Sequence, residues 1–153
     1  MTDKISELLD PACISLSLSQ RKKPAIIHEL VALLAECGKI SDAAAVESAI
    51  VERESLTTTG IGGGIAIPHC LTPEVNATAM AFGRQIKGVK FDAVDRKPVK
   101  LFFLIVGPQN AHNEHLRLLS KLSRHLHDSQ LHSSLLSAST AGKIVELFKE
   151  KEQ

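Results

Sequence analysis

The sequence predicts an α/β fold, a single layered domain spanning residues 1–153 in which helices flank a mixed β-sheet. Three observations carry that prediction. Segments of helical periodicity interleave with short apolar or alternating segments along the chain. The run 101–106 is apolar at every position, so this strand must be covered on both faces. With 153 residues, 44% hydrophobic and 23% charged, the chain has the interior of one ordinary folded domain and lies far from the composition of disordered chains.

Residues Ile5, Ser6, Glu7, Leu8 and Leu9 suggest a short helix, and after Pro11 the alternation over 14–18 reads as a half-buried strand. From Ser19 onward Ala25, Ile26, Leu30, Val31, Leu33 and Leu34 recur at helical spacing. Pro24 suits the first turn and Gly38 the stop. Asp42 is the expected N-cap of a second helix that carries Val46, Ile50 and Val51, runs to about Glu54 and pairs with the first in antiparallel fashion. The glycine-rich stretch beginning at Gly60 reads as a mobile loop leading into a buried strand, Ile65-Ala66-Ile67, that stops at Pro68-His69-Cys70. Residues 77–82 and 99–106 are further strands, the second ended by Gly107-Pro108. From Asn113, Leu116, Leu119, Leu122 and Leu126 mark a helix, and a last helix runs from Ser139 or Thr140 through Ile144, Leu147 and Phe148.

Eighteen Lys and Arg against seventeen Asp and Glu leave a net charge of +1, so no global field holds a nucleic acid or an anionic membrane. Aromatics are 3%, all of them Phe, which removes the stacking platforms of single-strand binders. Cys13, Cys37 and Cys70 are odd in number and widely spaced, so neither a disulfide framework nor a cysteine zinc site is expected, and a reducing cytoplasm is the expected location. The N-terminal residues Met1, Thr2, Asp3 and Lys4, with Glu7 and Asp10 behind them, do not read as a secretory signal. The run 101–106 is far shorter than the ~20 residues of a membrane helix, so no insertion is expected.

His69 is the most informative histidine. It follows a proline at the end of an apolar strand, and a neutral imidazole nitrogen is a good nucleophile near neutral pH. Glycines before a strand commonly mark a turn with positive φ, and they also expose amides that suit an anion. No Lys-Ser or Lys-Thr follows the last glycine, which excludes a Walker loop. His112-Asn113-Glu114-His115 opens a helix and places two rings near N-terminal amide donors. A metal pair at His112 and His115 has no supporting Cys pair or HExxH pattern, so no metal is expected. Arg53 offers a planar fork to a phosphate if the second helix ends beside the glycines. His28, His125, His127 and His132 read as solvated.

Taken together, Arg53-Glu54, Thr59-Gly60-Ile61-Gly62, Gly64-Ile65-Ala66-Ile67-Pro68-His69, Phe91-Asp92-Ala93-Val94-Asp95, Lys97-Pro98-Val99 and Glu114-His115-Leu116 resemble the fructose/mannitol-type enzyme IIA domain of the bacterial phosphoenolpyruvate-dependent phosphotransferase system, over nearly the whole chain. The resemblance implies that His69 accepts a phosphoryl group from an HPr-type phosphocarrier. His115 then orients and stabilises the phosphate, and Arg53 clamps its charge. Thr59, Gly60, Ile61, Gly62, Gly63 and Gly64 are expected to contact the phosphate through their backbone, with no metal or organic cofactor. Gly63 and Cys70 depart from the family pattern, in which a polar residue and a glycine are common. Residues 22–31 and 116–126 look most like the nitrogen-regulatory branch, which implies regulatory protein targets sensitive to the phosphorylation state. The alternatives are a sugar-specific IIA component that passes phosphate to a separate IIB, and a regulatory binding protein whose phosphorylation is vestigial.

Overall fold

The computed structural model describes residues 4–153, so the reading of Met1, Thr2 and Asp3 lies outside it. A short helix α1 (Ile5–Leu8) and a 3-10 turn (Pro11–Cys13) lead to β1 (Ile14–Ser15), then α2 (Lys23–Glu36) and α3 (Ala43–Leu56). Strands β2 (Gly60–Gly62), β3 (Ile65–Ala66), β4 (His69–Thr72), β5 (Ala79–Val89) and β6 (Val99–Pro108) follow, and α4 (His112–Leu126), α5 (Ser129–Ser137) and α6 (Ala141–Lys151) complete the chain. The six-stranded sheet has the order β1-β5-β6-β3-β2, and β4 also pairs with β6. It is mixed: β5 and β2 run antiparallel to their neighbours β6 and β3, while β1, β3 and β4 pair in parallel.

Strand β6 shows why the chain folds in layers. Phe102, Leu104 and Val106 join a core with Ile26, Leu30 and Ile50 of α2 and α3. Leu101, Phe103 and Ile105 join a second core with Leu118 and Leu122 of α4 and Phe148 of α6. Successive side chains point to opposite faces, so an uninterrupted apolar strand serves two cores.

The caps follow the chemistry of the sequence. Asp42 Oδ1 accepts from the Ala45 amide at 3.0 Å and opens α3. Pro24 stands in the first turn of α2, and Gly38, at φ 76°, follows its end. Thr140 accepts from the Lys143 amide at 3.1 Å and opens α6.

Several elements differ from expectation. The strand over 14–18 is only two residues long, because the ladder breaks after Ser15 and Leu18 instead bonds Arg84 O at 2.8 Å. Helix α5, capped by Asp128 on the Gln130 amide at 2.9 Å, was not anticipated. Its buried residues are Leu131 and Leu135, with Leu136 partly buried beside them, too short a pattern to mark a helix. The glycine segment is a hairpin, not a mobile loop: Gly62, Gly63 and Gly64 have φ of 95°, 67° and 79°, the left-handed backbone that turns β2 into β3. On α4 the buried face is His115, Leu118, Leu122 and Leu126, while Leu116 is 51% exposed. The leucine spacing i, i+3, i+6, i+10 drifts off the helical period, and the i, i+3, i+7, i+11 set takes the core.

Cys13 and Cys37 form a disulfide with Cα atoms 6.1 Å apart, against the expectation of no disulfide. The two are 24 residues apart in sequence and meet because the 3-10 turn packs beside the end of α2. The cysteine pattern therefore gives no support to a reducing location. No helix among the described residues is long and apolar enough to cross a membrane.

Candidate active site

His69 opens β4, level with Ile105 of β6. Its Nδ1 lies 2.7 Å from the Ile67 carbonyl. A carbonyl only accepts, so Nδ1 carries the proton and donates, and the lone pair resides on Nε2. Burial holds this imidazole below its ordinary pKa, opposed by the Ile67 carbonyl and aided by the Arg53 cation, so the ring is neutral near pH 7.

His115 lies in the first turn of α4 and is 4% exposed. Its ring centroid is 5.3 Å from that of His69, and neither of its ring nitrogens has a hydrogen-bond partner. Burial, then the neighbouring His69, His112 and Arg53, push its pKa down to about 4. A buried imidazole with an unspent N–H is a donor waiting for an acceptor. Gly107 makes room for it, since a Cβ there would stand 3.0 Å from His115 Nδ1.

Arg53 lies in the last turn of α3, and its Nη1 donates to Thr57 O at 3.0 Å. The neighbouring Glu54 is 7% exposed and holds this end of the helix in place. Its carboxylate accepts from the Thr59 amide at 2.9 Å and from the Thr59 hydroxyl, and it pairs with Lys23 at 3.0 Å. Neither Lys23 nor Glu54 was singled out from sequence. The Arg53-Glu54 pair was the available signal.

His69, His115 and Arg53 line one cavity of about 480 Å³, together with His112, Cys70 and Glu52. Three expected residues thus meet, and His112 joins them at the first position of α4. Burial pushes the Cys70 thiol up to about 12, so it stays protonated and inert beside the imidazoles.

The glycines do not join this cavity. Gly64 stands by Leu101 and His69 by Ile105, and four residues of strand separate two such levels by about 13 Å. Ile61, Gly62 and Gly63 line another cavity of about 580 Å³, with Asp95 and His132. Their groups are also engaged: the Gly63 amide donates to Asp95 at 3.0 Å, the Gly63 carbonyl contacts His132 Nε2 at 2.8 Å, and the Gly60 amide donates to Thr58 at 3.1 Å. Thr59 is buried on Glu54. Of the histidines read as solvated, His28 contacts Glu47 at 2.6 Å, and burial lowers the pKa of His125.

A neutral imidazole nitrogen, a second imidazole free of partners and a guanidinium thus line one cavity. The sequence model described as "Phosphoenolpyruvate-dependent sugar phosphotransferase system, EIIA 2" matches residues 7–151, and the chain belongs to this family. It is 39% identical over 150 residues to the fructose-specific EIIABC component of Bacillus subtilis (strain 168), covering 98% of this chain and 24% of that protein. The fructose-specific EIIA component of Haloferax volcanii is 37% identical over 146 residues, with 95% of each chain covered. Among solved structures, the nitrogen regulatory protein IIA-Ntr of Neisseria meningitidis superposes with a TM-score of 0.88 at 35% identity, covering 94% of this chain and 98% of that one.

Proposed function

We propose that residues 1–153 act as one EIIA unit that carries a phosphoryl group on His69 Nε2 and serves mainly as a nitrogen-regulatory protein in the cytoplasm. The observation that carries the chemistry is the Nδ1 contact to Ile67 O at 2.7 Å, which leaves Nε2 as the nucleophile. An HPr-type carrier presents its own phosphohistidine. The Nε2 lone pair of His69 forms a new N–P bond as the carrier's N–P bond breaks, and the carrier's ring nitrogen leaves with that electron pair. The His69 ring gains positive charge, which the Ile67 carbonyl stabilises through Nδ1–H. His115 donates to a phosphoryl oxygen and Arg53 offsets its charge, so the step runs in either direction with no metal or organic cofactor. A phosphoryl group at this cavity adds negative charge beside the exposed Leu116 and Leu56, and regulatory targets would read that change.

The likeness to IIA-Ntr along nearly the full length of both chains supports the regulatory reading. The fructose-specific names of relatives at 39% and 37% identity favour a second one, delivery of the phosphoryl group to a sugar through a IIB component. The two separate on one experiment. Phosphorylated protein is mixed with membranes from the same cells and fructose, and loss of label is followed. Label that persists supports the regulator, and rapid discharge dependent on sugar supports the transport component.

A further inference from the structure

The β5–β6 loop, residues 90–98, curls around a third cavity, of about 640 Å³, that shares no lining residue with the His69 cavity. Lys90, Asp92, Arg96 and Lys97 line it, with Phe91 and Pro98 as apolar wall. The surroundings are strongly basic. Segments 21–23 and 87–100 hold eight of the eighteen Lys and Arg but only two of the seventeen Asp and Glu. The segments are neighbours, for Lys22 bridges Lys90 and the Arg21 guanidinium donates to Gly88 O at 3.2 Å.

Both local carboxylates are engaged. Asp95 accepts from the amides of Gly63 at 3.0 Å and Lys97 at 3.1 Å, and Asp92 faces Lys23 at 3.9 Å. None of Lys90, Arg96 and Lys97 takes part in an ion pair among the described residues. The loop is also pinned: Phe91 O accepts from Lys23 Nζ and from Thr58 Oγ1, each at 3.2 Å, and the Val94 amide donates to Gly60 O at 3.0 Å. Arg96 has φ 61°, a left-handed conformation that a long side chain rarely adopts, and it turns the loop so that Arg96 lines the cavity beside Lys97.

We propose that this loop is a second anion site, which binds a small phosphate-bearing ligand through Lys90, Arg96 and Lys97. Cations outside any ion pair among the described residues, on a pinned, concave loop, meet phosphate oxygens with little reorganisation, and guanidinium and ammonium groups are the side chains that do so. A concave cavity of this volume suits a small molecule better than a flat macromolecular surface.

The test titrates inorganic pyrophosphate and ATP separately into the full unphosphorylated chain at about 50 mM NaCl, followed through backbone amide chemical shifts. Saturable shifts at residues 88–98 are expected with both probes. They weaken by about tenfold or more in Lys90→Gln/Lys97→Gln and stay within about twofold in Arg53→Gln, which alters only the His69 cavity. Shifts centred on His69 and His115, binding that survives the double substitution, or binding of ATP with pyrophosphate silent would overturn the proposal.

Discussion

His69 and His115 face each other with ring centroids 5.3 Å apart, yet only His69 is tied to the backbone; the nitrogens of His115 are free of partners. Two rings of one chemical type therefore hold different roles, one anchored with a defined lone pair and one left with an unspent donor.

Substitution separates those roles. His115→Ala is expected to slow phosphoryl acceptance by about 10²–10³ while still allowing His69 to be labelled, the usual loss for one preorganised donor. Gly107→Ala acts on the same ring from behind, because its Cβ would stand 3.0 Å from His115 Nδ1. A loss of roughly tenfold or more in rate is expected as the ring is displaced. Rapid-quench labelling kinetics on both variants check this, and wild-type rates would remove His115 from the site.

Acid should destabilise the protein before its carboxylates matter. The unfolded chain takes up protons at histidine near the ordinary 6.5, whereas native His115 does so only near about 4. In that window the unfolded state binds more protons, so stability is present above it and falls as pH drops through it. His69 and His125, also lowered by burial, act in the same direction. Glu152 has an ordinary value of 4.5 and a lowered native one, so its contribution is lost only at more acid pH. Urea midpoints are expected to fall between about pH 7 and about pH 5, and to fall less in His115→Gln.

The Cys13–Cys37 bond has a direct chemical readout. Alkylation under denaturing conditions should modify one cysteine, Cys70, before reduction and all three after it. With the partners 24 positions apart in sequence, Cys13→Ser should lower stability by about 3 kcal/mol in the chain-entropy picture, measured by urea unfolding. Three alkylated cysteines without reduction would contradict the bond.

The sequence made three residues that line the His69 cavity easier to read than their surroundings. His69 stood out because a proline and an apolar strand locate it locally, and α3 was legible because Asp42 and the spacing of Val46 and Ile50 act within a few residues. What escaped depends on distant partners. Asp95 takes the Gly63 amide from 32 residues away, so glycine content alone did not reveal that this amide is spoken for. The Cys13–Cys37 pairing needs the packing of the 3-10 turn against α2, and the ion pair of buried Glu54 with partly exposed Lys23 joins two helices. On α4 the leucines drew attention to Leu116, while the buried face takes the polar His115 that lines the His69 cavity.

The most direct measurement is intact mass after incubation with phosphoenolpyruvate and the system's general carriers, for wild type and His69→Ala side by side. A single adduct of ~80 Da, acid-labile, alkali-stable and mapped to His69, is expected in the wild type and none in the variant. An adduct retained by His69→Ala would contradict the assignment of His69 as the phosphoryl acceptor.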